Sequence, residues 1–200
     1  MITEVDNELK KLISQAMGGS PPQGPEISFD APTRDWSTGV SGRQVINVFL
    51  YDLREDTDLR SVGDVELTIS GTGQPPPTQP THTIPPPRSY KLSYMLTAWY
   101  ATPADMHQAM DTIMIELSAY SVLDITFSDV LQQLEPTAYM EVGTPPDNRT
   151  VSELWDALGN SPLPCVNVVV TLPIDRYKTT SPTPISGPPV QDVLVNSDVK

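Results

Sequence analysis

The sequence predicts an α+β fold: a mixed β-sheet flanked by helices, with a proline-rich inserted loop and a flexible C-terminal tail. Three observations carry this. The stretch 88–123 reads as a long strand that turns at once into an amphipathic helix. The stretch 44–53 is apolar on both faces, as a central strand covered on both sides must be. Helical and strand-like segments follow one another with no internal repeat, so neither a solenoid nor an array is expected. The expected boundaries are a folded domain over 1–173, a loop inserted at 71–87 and a tail from 174 to 200.

From the N-terminus, Thr3-Glu-Val-Asp6 has the form of a capping box. Val5, Leu9, Leu12, Ile13 and Ala16 follow at helical spacing until Gly18-Gly19 stops the helix. Glu26 to Phe29 predicts a short strand, and the stretch from Asp30 through Trp36 and the glycines beyond reads as a loop. In 44–53, Val45, Phe49 and Tyr51 face one way and Ile46, Val48 and Leu50 the other, with charged residues 52–56 continuing to the sheet rim. Val65, Leu67 and Ile69 alternate with Glu66, Thr68 and Ser70, so one face of that strand is solvated. Residues 71–87 hold seven of the 22 prolines. Proline withholds donors from a sheet, so this is a projecting loop, read as a stiff linker rather than an SH3-type ligand.

In the strand 90–100, Tyr90, Leu92, Tyr94, Leu96 and Ala98 share one face, and Lys91, Ser93, Met95, Thr97 and Trp99 the other. Such a strand would run roughly 35 Å at about 3.3 Å per residue. Thr102 can cap the next helix, Pro103 suits its first position, and Asp105 faces the positive end of its dipole. Met106, Met110, Ile113, Met114 and Leu117 then form one apolar stripe. Beyond it, 128–134 predicts a short helix and 137–142 a strand. Thr150-Val-Ser-Glu153 is a capping box opening a helix with Leu154, Trp155 and Leu158 that Gly159 ends, and 166–172 is a β-branched strand.

The 200 residues hold 12 Lys and Arg against 25 Asp and Glu, a net charge of −13. That balance disfavours nucleic acid and anionic membrane surfaces, where affinity rests on cations. It suits a chain that docks on basic partners. The single cysteine, Cys165, excludes an intrachain disulfide and is read as a small buried hydrophobe. No signal-peptide pattern or 20-residue apolar run is present, so neither export nor membrane insertion is expected, and the expected location is cytoplasmic unless an assembly carries the chain elsewhere.

No constellation points to catalysis, a cofactor or a metal. His107 and Asp111 stand one helical turn apart, half a metal site at most, and read as a solvated flank. Gly39-Val-Ser-Gly42 falls short of a nucleophile elbow, and Gly71-Thr-Gly73 of a dinucleotide fingerprint. Neither an enzymatic activity nor a cofactor is expected.

Four stretches together resemble the cap, or tail-terminator, proteins of phage-tail-like contractile injection systems. They are Ser28-Phe-Asp-Ala-Pro-Thr-Arg-Asp-Trp36, Ile46-Asn-Val-Phe-Leu-Tyr-Asp-Leu-Arg-Glu-Asp56, Leu92-Ser-Tyr-Met-Leu-Thr-Ala-Trp99 and Leu154-Trp-Asp-Ala-Leu-Gly159. The likeness runs to about Pro173 and excludes the proline loop and the tail. It implies a tail-terminator-like fold and a homo-hexameric ring on the last tube and sheath rings, with the tube protein and the sheath protein as partners. A strand edge near 65–70 or 137–142 would complete the sheath's last open sheet. Arg34, Asp35, Trp36, Arg54, Glu55 and Arg60 are interface candidates, because Arg and Trp dominate interface energetics. Local salt bridges and Trp36 closing a small core are the alternative account of the same residues. The rival functional readings are a baseplate or adaptor component, and a small-ligand or carbohydrate-binding module with Tyr90, Tyr94, Trp99 and Tyr100 as a platform.

Overall fold

The computed structural model describes residues 1–68, 81–145, 150–175 and 183–184. A six-stranded mixed sheet organises them, in the order β1 (Glu26–Ser28), β2 (Val45–Glu55), β5 (Ser89–Trp99), β8 (Cys165–Pro173), β7 (Ala138–Val142) and β6 (Val122–Leu123). Only the β1–β2 pairing is parallel. A separate three-stranded sheet joins β3 (Val65–Leu67), β4 (His82–Ile84) and β9 (Thr183–Pro184). The helices are α1 (Ile2–Ala16), α2 (Arg34–Gly39), α3 (Pro103–Ser118), α4 (Asp129–Gln132) and α5 (Val151–Leu158).

The β5 alternation builds two cores. Leu92, Tyr94, Leu96 and Ala98 enter the large one with Ile46 and Val48 of β2 and Val166, Val168, Val170 and Leu172 of β8. Helix α3 covers that face with Ala109, Met110, Ile113 and Leu117, and α1 adds Val5, Leu9, Leu12 and Ile13. The Tyr94 hydroxyl donates to Asp6 at 2.8 Å, fixing α1 over the strand. On the opposite face Met95 and Trp99 meet Leu154 and Trp155 of α5 in a smaller core. Thr102 caps α3, with Pro103 in its first turn, and Thr150 and Glu153 close a full capping box on α5.

Several expectations change. Helix α1 starts at Ile2 with Met1 as its cap, so Thr3 lies inside the first turn and caps nothing. The segment read as a loop through Trp36 contains α2, capped by Thr33, whose hydroxyl accepts the Trp36 N–H. Met114 leaves the α3 stripe and is 46% exposed, because the buried arc is filled by Ala109, Met110, Ile113 and Leu117. Cys165 is half-buried at the start of β8 rather than enclosed. Within the inserted loop, His82–Ile84 pairs with β3 as a strand, while 69–80 lies outside the described residues. Of the tail, Ile174 donates its N–H to Arg88, Asp175 accepts the Ser128 N–H and hydroxyl at 2.6 and 2.8 Å, and Thr183–Pro184 pairs with β4. The rest of 174–200 lies outside the described residues. No helix among the described residues is long and apolar enough to cross a membrane.

Candidate interface surfaces

The six interface candidates fall into two groups at opposite ends of β2. The first belongs to α2. Ser28 donates to the Asp30 carboxylate at 2.8 Å, and the Trp36 indole N–H donates to the same carboxylate at 3.3 Å. The Asn47 amide reaches the Asp30 carbonyl at 2.8 Å, and the Asn160 amide reaches the Pro32 carbonyl at 3.2 Å. The Trp36 ring meets Trp99 edge-on at 5.3 Å, and Trp99 meets Trp155 at 6.4 Å. All three tryptophans of the chain therefore form one cluster. Each comes from a different one of the resembling stretches, and the remaining stretch supplies Asn47 and Phe49 beside them. Trp36 packs edge-on against Trp99, while Arg34 and Asp35 stay exposed on the anchored helix.

The second group sits at the far rim, about 30 Å away along ten residues of strand. Arg60 donates twice to Glu55, at 3.0 and 2.8 Å, and Arg88 lies 3.5 Å from the same carboxylate. The Arg60 hydrogen bonds hold the Glu55 carboxyl below its ordinary value. Arg54 approaches Asp52 at 3.6 Å and Lys91 approaches Asp56 at 3.3 Å. The rim is a ladder of ion pairs with both signs present. The structure does not bring Arg34, Asp35 and Trp36 together with Arg54, Glu55 and Arg60.

A third surface combines a strand edge with a groove. Met140 donates its N–H to the Ser121 carbonyl at 2.9 Å, but β6 pairs only with Ala138 and Tyr139. Among the described residues, the outer edge of β7 at Glu141 and Val142 therefore has no strand beside it. Past Val142 the edge opens into a groove of about 420 Å³, walled by Tyr51 of β2, Met95 of β5, Met114 of α3, Leu154 of α5 and Val166 of β8. Tyr51 donates to Asn167 at 2.7 Å, and the Asn167 amide donates to the Thr144 carbonyl at 2.6 Å, which fixes the turn at the groove mouth. Burial pushes the Cys165 thiol up, so the groove floor is uncharged at neutral pH. The strand itself was legible, as the strand expected over 137–142. The groove was not, since six elements distant in sequence, β2, β5, α3, β7, α5 and β8, supply it.

Two other readings lose their footing here. Tyr94 is fully buried with its hydroxyl on Asp6, and Trp99 packs on the other side of the sheet between two tryptophans, so the proposed aromatic platform does not exist. His107 and Asp111 are exposed on α3, and no group of three or more metal-ligating side chains occurs among the described residues.

The described residues thus set three candidate contact surfaces on one anchored sheet. Residues 4–191 match the Pvc16 N-terminal domain family, and the chain belongs to that family. It is similar in fold to the sheath/tube terminator of an extracellular contractile injection system, PVC, in the extended state: 24% identity, TM-score 0.63, over 100% of this chain and 63% of that one. It is similarly related to the tube-terminating cap of the anti-feeding prophage: 23% identity, TM-score 0.60, over 100% of this chain and 61% of that one. The chain thus spans somewhat over three-fifths of the solved chains it resembles. A search of the curated proteins returned no match.

Proposed function

We propose that this protein is a structural cap of a contractile injection system. It forms a homo-hexameric ring on the distal end of the inner tube and sheath, ends their polymerisation and anchors the sheath. The observation that carries this reading is the family match over 4–191, together with terminator folds in both solved relatives. The physics agrees. Tube and sheath grow through head-to-tail contacts, which stay open until a surface matches the last ring without repeating it. The main sheet ends in strands of three and two residues, β1 and β6, which are poor templates for further growth. The uncovered edge of β7 is where a sheath strand adds, main chain to main chain. The protein is made in the cytoplasm, leaves with the particle, and acts through binding rather than catalysis.

The test is electron microscopy of particles made with and without the protein. Tubes of uncontrolled length, or tubes that shed sheath, support the cap; uniform intact particles in its absence contradict it. Labelled protein at the baseplate end would instead establish an adaptor component.

A further inference from the structure

The chain beyond β8 is tied to the body at two separate places. Ile174 donates its N–H to the Arg88 carbonyl at 2.8 Å, and the Asp175 carboxylate accepts the Ser128 N–H and hydroxyl at 2.6 and 2.8 Å, a clasp onto the start of α4. Further on, β9 sets Thr183 opposite Thr83 and Pro184 opposite His82. Ile174 and Thr183 meet the segment 83–88 five residues apart, at Arg88 and at Thr83, but stand nine residues apart in their own sequence. They do not belong to one continuous ladder, in which the counts would match, so β9 is attached independently of β8.

Among the described residues, β9 alone covers the outer side of β4. β4 is firmly placed, with all three residues paired to β3 and Ile84 buried in the large core. His82, Thr83 and Ile84 offer no carboxylate, lysine, arginine or proline against a further strand. β3, at the other margin of this sheet, carries exposed Glu66 with Asp64 just before it. β9 puts Pro184 at the β4 margin instead, and proline has no N–H to give a neighbouring strand, so the sheet ends there. The hold is slight all the same. It consists of two residue pairs, and both β9 side chains are exposed, so main-chain contact and the clasp keep it in place.

We propose that β9 is a releasable cover on the edge of β4, held in register by the Asp175–Ser128 clasp, and that uncovering this edge lets β4 pair with β4 of a second copy. The edge matches itself. In an antiparallel pair centred on Thr83, Thr83 faces Thr83 and His82 faces Ile84, so no carboxylate opposes another and the threonines form a favourable cross-strand pair. Such a two-fold contact closes on itself. A copy whose β9 is in place cannot make it. The device is independent of the cap reading.

The test uses the full chain with Cys165→Ser, mild oxidation and non-reducing electrophoresis. Thr83→Cys combined with Thr183→Cys is expected to close a disulfide within one chain, because the two positions are direct partners. Thr83→Cys without the second substitution is expected to run as a monomer. Adding Asp175→Ala to it releases the clasp and is expected to give a dimer joined through position 83, with amides 82–84 exchanging about tenfold faster in dilute solution. Thr183→Pro, at an exposed position, removes an N–H of β9 without touching a core residue and is expected to give the same dimer, so the test stands even where Asp175→Ala fails to fold. No dimer through position 83 with Thr183→Pro, as much of it with β9 in place, or no disulfide within the chain from the 83 and 183 pair overturns the proposal.

Discussion

Trp155 is the keystone of the smaller core, and Trp155→Ala tests that role quantitatively. Its side chain is fully buried against Met95, Trp99 and the rest of α5's partners. A tryptophan of this kind hides about 150–250 Å². At about 25 cal/mol per Å² that is roughly 4–6 kcal/mol, reduced by about 10–40% because the unfolded chain already hides part of it. The indole N–H meets the Cys165 sulfur, a weak acceptor, so deleting it forfeits little hydrogen bonding. The expected loss is about 3 kcal/mol, at the low end of the usual 3–5 kcal/mol for such truncations. Urea denaturation followed by far-ultraviolet circular dichroism reads it directly. Trp155→Phe keeps most of the apolar area and gives up only the weak contact with the Cys165 sulfur, so it should cost about 1 kcal/mol or less. A loss below 1 kcal/mol for the alanine variant would refute the small core as a stabilising unit. A phenylalanine variant as damaged as the alanine one would refute apolar burial as the source of the loss.

Further expectations follow from the electrostatics and the caps. Burial raises the Asp6 carboxyl above its ordinary value, outweighing the Tyr94 hydrogen bond. Its contribution is therefore full below about pH 3.8 and declines as pH rises through the elevated folded value. Asp6→Asn should remove that decline, so its stability relative to the parent increases from pH 3 to 7 in urea titrations; a constant difference would contradict the assignment. Glu55 has the opposite sign: held down by Arg60, it contributes above pH 4.5 and loses that contribution as pH falls through the lowered value. In Arg60→Ala, carbon NMR should find the Glu55 titration displaced back toward 4.5. Gly159 ends α5 at φ +66 with open space where a Cβ would lie, so Gly159→Ala should cost only the backbone term, about 1–2 kcal/mol by thermal melting.

What the sequence disclosed depended on how locally each feature is determined. The β5 alternation was readable because its faces enter different cores, and α3 was readable because Thr102, Pro103 and Asp105 act within a single turn. Helix α2 was not, because six residues containing Ser, Thr and Gly have little intrinsic preference; Trp36 against Trp99 holds them. Strands of two or three residues such as β4, β6 and β9 are too short to show a period. Helical spacing placed Met114 beside Ile113 but could not tell which flank of the stripe meets the sheet. Among interface candidates, Trp36 and the rim pairs stood out by residue type, yet type alone could not separate an external contact from Trp36's place in the cluster. The groove needed the register of β7 against β8 and the meeting of β2, β5, α3 and α5 around it, neither of which is local.

The central claim is that this protein stands at one end of a sheathed tube and stops its growth. The most direct measurement is the length distribution of particles assembled with limiting, matched and excess amounts of the full chain, imaged by electron microscopy with the chain labelled. The account predicts one labelled end per particle, distal to the baseplate, with lengths that broaden and sheaths that detach when the chain is limiting. Label along the shaft or at the baseplate, or lengths indifferent to its amount, would contradict it.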